Sequence, residues 1–250
     1  KYSRDCKISK TFIDWMRTNN DPRLMIVSGG TGNPDVPATW DVTPANQKGM
    51  PNGYTSANIS SVLTPAEATA YAANGNRIFS MLNLKYLDWE DPYALITYAE
   101  VELMAAEAAV LTWLPVGTAE SHFNAGVTAA INSWTAFDAS FAVAPATITS
   151  YISSRGFAAA TDENKKRLIG EEYWAATWLN DIESWSNWRR TNYPTLTPTN
   201  DPNRWEANQI PRRLKYWENE ISSNPVNYKS AIDRMGGDNL MTKVWWDGGN

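Results

Sequence analysis

Cysteine and histidine are almost absent from this chain, which holds one of each among 250 residues, Cys6 and His122. A lone Cys6 makes no internal disulfide, and the Ser3-Arg4-Asp5 before it is no lipid-attachment box, so it reads as an ordinary unpaired thiol on a helix. Without a spaced His/Cys set, a zinc site is excluded. A Ser-His-Asp arrangement would have to be built on His122, in a polar stretch of helix that reads as exposed, and is disfavoured. Basic excess is missing too. Against 22 Lys and Arg stand 27 Asp and Glu, a net charge of −5, which argues against nucleic acid as a partner because phosphate binding draws on clustered cations. No segment approaches ~18 uninterrupted apolar residues, so no transmembrane helix is expected. The opening "KYSRDCKISK" lacks the apolar run of a signal peptide; its charged start points to a natural N-terminus lying upstream. "GGTGNP" lacks the lysine of a phosphate-binding loop and reads as a flexible turn. No cofactor is expected.

What the chain has in quantity is aromatic rings, 13 Trp and 11 Tyr, under a negative mean hydropathy. Such a chain buries some rings and leaves others half exposed, where their faces serve recognition. Ile8, Phe12 and Trp15 fall at helical spacing in "DCKISKTFIDWMRTNNDPRL", and "NNDP" stops the pattern. From Gly29 to Gly53, nine of 25 residues are Gly or Pro, the mark of a long irregular segment, and such segments are often functional. Thr64-Pro65 with Glu67 starts a helix, whereas "NRIFSMLNLKYL" reads as extended or irregular. "PYALITYAEVELMAAEAAVLTW" is built of good helix formers. "TAESHFNAGVTAAINSWTAF" places Phe123, Val127, Ile131 and Trp134 on one helical face. The short "LPVG" makes these two an antiparallel pair. Ala105, Ala108 and Ala109 on one and Ala125, Ala129 and Ala130 on the other would let them approach closely, as in a tetratricopeptide-type hairpin. "ATITSYISSRG" and "PVNYKSAIDRMGG" are further short helices, the second closed by Gly236-Gly237. "TNYPTLTPTNDPNRW" is a loop, and "IPRRLKYWENEISSNP" starts extended and ends in a turn.

The segment "EEYWAATWLNDIESWSNWRRTNYPTL" carries four tryptophans within fifteen residues. On one continuous helix at ~100° per residue, Trp174, Trp178, Trp185 and Trp188 share an arc of about 80°, widened by Leu168, Ala175, Leu179 and Ile182. Asn180 and Asn187 fall opposite. This reads as a packed seam in preference to a sugar-stacking row. Arg189 and Arg190 then suit a helix C-terminus, with Pro194 as the stop. Arg212 and Arg213 are expected to pair with acids such as Glu218 or Glu220.

Acidic residues offer two tempting clusters. Asp88, Glu90 and Asp91 in "DWEDP" resemble a Ca²⁺-binding turn, but a solvated acidic turn explains them better. Glu171 and Glu172 are adjacent, yet neighbours on a helix point ~100° apart, so they read as helix surface. A glycosidase needs two carboxylates across a bond, a demand that the 27 acidic residues leave open. For binding, sugars want aromatic faces beside planar polar groups. Trp40 next to Asp41, and Tyr54 after Asn52-Gly53, meet that description in the irregular segment, with Trp89 and Trp205 as further loop aromatics.

The runs "YALITYAEVELMAAEAA", "WSNWRRTNYPTL", "IPRRLKYWENEISSNPVNY" and "GGDNLMTKVWWD", with "NNDPRL" and "GMPNG" before them, together resemble the C-terminal half of SusD/RagB-like proteins. Their order and spacing carry the likeness. The resemblance implies a mainly α fold, a SusD-like α-α superhelix with tetratricopeptide-type helix hairpins and long irregular loops. It implies one domain over 1–250, with 29–60 as the irregular ligand loop, 93–192 as the helical scaffold and 193–250 as a loop-rich end. The first helical repeats and a lipidated cysteine would lie upstream. It further implies a non-enzymatic nutrient-binding lipoprotein on the cell-surface side of the Bacteroidetes outer membrane, held there only by its lipid anchor. Such a protein hands an oligosaccharide to a SusC-like TonB-dependent transporter. Trp40, Asp41, Asn52, Tyr54 and Trp89 are its expected ligand contacts. A peptide ligand, an all-helical carbohydrate-active enzyme and a scaffold for protein partners are the alternatives.

Overall fold

The structure, a computed structural model, describes residues 6–113, 116–199 and 209–247. It is mainly helical. The chain runs through α1 (Lys10–Thr18), α2 (Leu24–Val27) and β1 (Ser28–Gly30), then an irregular stretch, then α3 (Pro65–Asn74) and β2 (Met81–Leu82). After a second irregular stretch come α4 (Tyr98–Val110), α5 (Ala119–Asn132), α6 (Pro145–Ser154), α7 (Asp162–Ala176) and α8 (Asp181–Thr191), and later α9 (Glu218–Ser223) and α10 (Pro225–Met235). β1 and β2 pair antiparallel, Ser28 opposite Leu82 and Gly30 opposite Met81. Among the described residues, no helix is long and apolar enough to cross a membrane.

Helix starts follow local capping chemistry. Thr64 and Glu67 form a reciprocal capping box at α3, and Thr97 and Glu100 do the same at α4. The second box places the start of α4 at Tyr98, so residues 92–97, expected within the helix, stay irregular: Thr97 Oγ1 receives the Glu100 N–H and a helix cannot extend backwards through a residue capping it. α4 and α5 pack antiparallel, as the short connection predicts. They pack tightly at Gly126, where a Cβ would stand 2.7 Å from Leu103 Cγ. The buried small residues of the pair are Ala99, Ala106, Gly126 and Ala130, so of the six alanines expected to set the spacing only Ala130 is fully buried. Cys6 lies before α1 in extended chain, exposed, its carbonyl accepting from the Leu82 N–H. The 218–223 stretch, expected to be extended or turn, is helical.

Three apolar clusters hold these elements. The largest joins α4 to α7 through Leu103, Phe123, Val127, Ile131, Ile148 and Leu168, with Phe123 and Phe157 stacked at 4.1 Å. A second packs Phe12, Ile13 and Met16 of α1 on Leu24, Val27 and Ala175. The third gathers Ile26, Tyr86, Trp134 and Phe141. Each large side chain so enclosed contributes about 1.5–3 kcal/mol.

The four-tryptophan segment is not one helix. α7 ends at Ala176 and α8 begins at Asp181. Thr177 turns its Oγ1 back to the Tyr173 carbonyl at 2.9 Å, Asn180 caps α8 by accepting the Glu183 N–H, and Leu179 sits at φ 74°. Helical phase is lost across the break, and the tryptophans separate in pairs. Trp174 and Trp178 pack on Phe12, Trp174 edge-on at 4.8 Å. Trp185 and Trp188 instead lie under guanidinium groups, Arg189 over Trp185 at 3.8 Å and Arg212 over Trp188 at 4.7 Å. Leu179 and Ile182, expected to widen the seam, are exposed, while Asn187, expected opposite, is buried and donates to the Gly170 carbonyl.

The charged groups also correct their sequence reading. Glu171 and Glu172 are buried, not helix surface. Glu172 takes Arg23 at 2.7 Å and the Tyr151 hydroxyl at 2.6 Å, and Glu171 takes Arg155 and Arg167. With Asp21, which also holds Arg23, they tie the α1–α2 turn to α6 and α7. Burial alone would depress the Arg23 pKa, but Asp21 and Glu172 outweigh it and the pKa rises. Arg190 grips Glu107 of α4 with both terminal nitrogens. Arg212 and Arg213 pair with Asp247 and Asp238, not with Glu218 or Glu220.

Candidate functional site

The irregular segment after β1 is folded around Trp40. Its ring lies on bare backbone: a Cβ at Gly29 would stand 2.9 Å from Trp40 Cζ3, and one at Gly30 would stand 2.9 Å from Trp40 Cβ. The "GGTG" run is therefore a seat for an indole. Trp40 Nε1 donates to the Asn33 carbonyl at 2.7 Å, and the residue is buried. Expected as a ligand contact, with pinning of the loop as the alternative, Trp40 is buried and pins the loop.

Asp41 is occupied in the same way. Its Oδ1 accepts the Thr43 N–H at 2.8 Å and its Oδ2 the Asn46 amide at 2.7 Å. Those bonds, the backbone one first, hold its pKa below the usual carboxylate value. Gln47, fully buried, knits the loop to the strands: its Oε1 accepts from Ser28 and Ser80, and its Nε2 donates to the Asp41 and Thr43 carbonyls.

Downstream, the segment delivers Asn52 to a cleft of about 520 Å³. Gly53 turns there at φ 77°, and a Cβ on it would meet Thr199 Cβ at 2.7 Å, so the turn lies directly on the 196–199 loop. Asn52 donates to Ser9 Oγ at 2.9 Å. Around it the lining includes Thr11, Thr197, Thr199 and Gln209, with Trp174 as its aromatic wall. A second cleft of about 430 Å³ lies on the other side of Ser9 and Trp174, which line both.

No charged side chain lines the first cleft among the described residues. Hydroxyls and amides donate and accept alike, and an indole gives a face for C–H groups. Among the described residues the lining suits a neutral, hydroxyl-rich ligand.

The other expected contacts are dispersed. Tyr54 is half-buried and lines neither cleft. Trp89 is fully exposed, in the irregular stretch before α4. Trp205 lies outside the described residues. Asp88 and Asp91 organise their own turn, Asp91 Oδ2 accepting the Asp88 N–H. His122, half-buried, bridges α5 to α4 through Glu102 at 2.7 Å. That hydrogen bond first, and the Val116 carbonyl second, raise its pKa. Residue reading missed Trp174, Thr197, Thr199 and Gln209. The hydroxyl-rich "TLTPT" run was a visible signal, but only the fold brings it to Asn52.

A family model described as starch-binding and associating with the outer membrane matches residues 1–217. This chain belongs to the SusD-like family. Among solved structures, a chitin-binding protein is 30% identical at a TM-score of 0.75, over 96% of this chain and 49% of its own. A SusD homolog from Bacteroides fragilis shares the fold at a TM-score of 0.79 with 19% identity, over 99% and 53%. A chitin-binding SusD homolog from Flavobacterium johnsoniae does so at 0.68 with 23% identity, over 96% and 49%. This SusD-like chain thus spans about half the length of the solved structures it matches. No curated protein matches it.

Proposed function

We propose that this SusD-like chain belongs to a non-enzymatic carbohydrate receptor of the outer membrane, and that a neutral oligosaccharide lies in the cleft between Asn52, Trp174 and Thr199. The observation that carries the reading is the hydroxyl- and amide-lined cleft with one indole wall, uncharged among the described residues. The family's description and the chitin-binding relatives support the ligand class. Asn52 and Trp174 make direct contact in this reading. Trp40 and Asp41 act one step back, by fixing the loop that ends at Asn52. Tyr54 and Trp89 lie outside the cleft and take no part in it. Delivery to a SusC-like TonB-dependent transporter, and a lipid anchor on the cell-surface side of the membrane, extend the proposal on the strength of the family resemblance.

Isothermal titration with maltoheptaose and with chitohexaose tests it. One of the two binds, and Asn52→Ala weakens that binding about three- to ten-fold, the loss of one neutral hydrogen bond. Turnover of either sugar would replace the receptor with an enzyme. Binding of peptides alone would make it a peptide receptor.

A further inference from the structure

His122 is the single histidine of the chain, and both of its ring nitrogens meet oxygens. Nδ1 stands 2.7 Å from Glu102 Oε2 of α4, and Nε2 stands 3.1 Å from the Val116 carbonyl. A backbone carbonyl only accepts, and so does an ionised carboxylate. Neutral imidazole carries one N–H and one lone pair, so one of the two contacts would set a lone pair against an oxygen. Imidazolium donates from both nitrogens and satisfies both acceptors. The geometry fits the protonated ring.

The backbone is shaped to that ring. Val116 and Gly117 belong to the connection between α4 and α5. Gly117 turns at φ 78°, and a Cβ there would collide with His122 Nε2. Only a residue without a side chain lets the connection come so near the imidazole. Burial gives this stretch little support, because residues 112, 113 and 116–118 are all exposed. One end is held by the Trp113 N–H on the Ala108 carbonyl, the other by the Thr118–Ser121 capping box. Between them the imidazole joins the connection, α5 and α4 at one point. A segment tied by a few exposed polar bonds is among the first to open.

We infer that His122 is a pH-operated latch: as imidazolium it clasps Glu102 and the Val116 carbonyl together, and on losing its proton it releases the α4–α5 connection. It shares no residue with the Asn52 cleft, so the latch stands whether or not that cleft binds an oligosaccharide.

The groups facing the ring set the range in which it works. Glu102 supplies the charge, and Tyr98 of the same helix acts on that carboxylate. The Glu102 hydrogen bond first, and the Val116 carbonyl second, raise the His122 pKa. Tyr98 first, and His122 second, lower the Glu102 pKa. A raised histidine contributes fully below its ordinary value and loses that contribution as pH rises through the raised one. A lowered carboxylate keeps its contribution until pH falls through the lowered value. The latch is therefore closed in mild acid and opens on the alkaline side of the His122 titration.

NMR of the whole chain tests it, because one histidine gives one Cε1–H signal. Its midpoint should lie above the ordinary 6.5. The heteronuclear NOE of the Val116 and Gly117 amides should fall with the same midpoint as the connection loosens. Glu102→Gln keeps an oxygen for the ring but removes the charge, so both midpoints move down together. His122→Gln makes the NOE of these amides level across the same pH range. The inference is overturned by a midpoint at or below 6.5, by amides that stay level while the histidine titrates, by midpoints unmoved in Glu102→Gln, or by a fall that persists in His122→Gln.

Discussion

Trp40 and Trp89 stand in segments of the same kind, irregular stretches that carry prolines and acidic residues, yet Trp40 is 8% exposed and Trp89 101%. The difference lies in what each segment finds at a distance. The Trp40 loop returns to β1, where glycines leave room for an indole, Thr31 and Asp41 form a bridge, and Gln47 reaches Ser28 and Ser80. The Trp89 stretch is held by its own turn, and Tyr93, Leu95 and Ile96 beside it are also exposed. Composition is nearly the same; long-range seating is not. A contiguous run of exposed apolar side chains marks a surface that meets something, whereas a seated loop serves as scaffold.

The contrast breaks most visibly at Trp40. Trp40→Ala should cost about 3–5 kcal/mol of unfolding free energy, as other buried Trp truncations do, read by urea denaturation. An unchanged midpoint would mean that the loop does not depend on its indole. Asp41→Asn should have a smaller effect with a defined pH dependence. The Asp41 pKa is lowered on folding, so its stabilisation is present above the ordinary carboxylate value and fades as pH falls through the lowered one. The melting-temperature gap between parent and Asp41→Asn should therefore be open at pH 6 and close in strong acid. A gap of constant size across that range would show that the carboxylate charge is not what holds the turn. Trp89→Ala should be the mildest, within about 0.5 kcal/mol in the same denaturation experiment, since nothing packs on the ring. A loss like that at Trp40 would erase the comparison.

Local chemistry was legible wherever it was self-contained. The Thr64–Glu67 start of α3, the buried face of α5 formed by Phe123, Val127 and Ile131, and the Gly236 end of α10 all follow from a few neighbouring residues. Trp134 instead lies beyond the end of α5 and packs with Tyr86 and Phe141. Collinear runs were enough to place the chain in its family. The four-tryptophan seam failed because periodicity assumes an unbroken helix. Thr177 and Asn180 each had a backbone group to satisfy, and satisfying both ended one helix and began the next. Glu171 and Glu172 failed for a different reason. Their partners, Arg23 and Arg155, are distant in sequence for Glu172 and sixteen residues back for Glu171. Arg167, one helical turn before Glu171, is visible locally but suits a solvated i,i+4 pair, and only a fold that adds Arg23 and Arg155 makes burial tolerable. For the candidate site, Asn52 was readable from its loop, but Trp174 was not, since its ring forms part of a helix face and also a cleft wall.

Helix starts and stops, the absence of metal-ligand spacing in His and Cys, and family membership rest on residue types and short spacings that hold in any surroundings. Which tryptophan is buried, which acid finds a base, and where uncharged hydroxyls and amides close around a cavity depend on residues far apart along the chain. Those pairings exist only after the helices have packed. The same residue, a tryptophan in a proline-containing loop, therefore becomes a loop anchor at position 40 and an exposed ring at position 89.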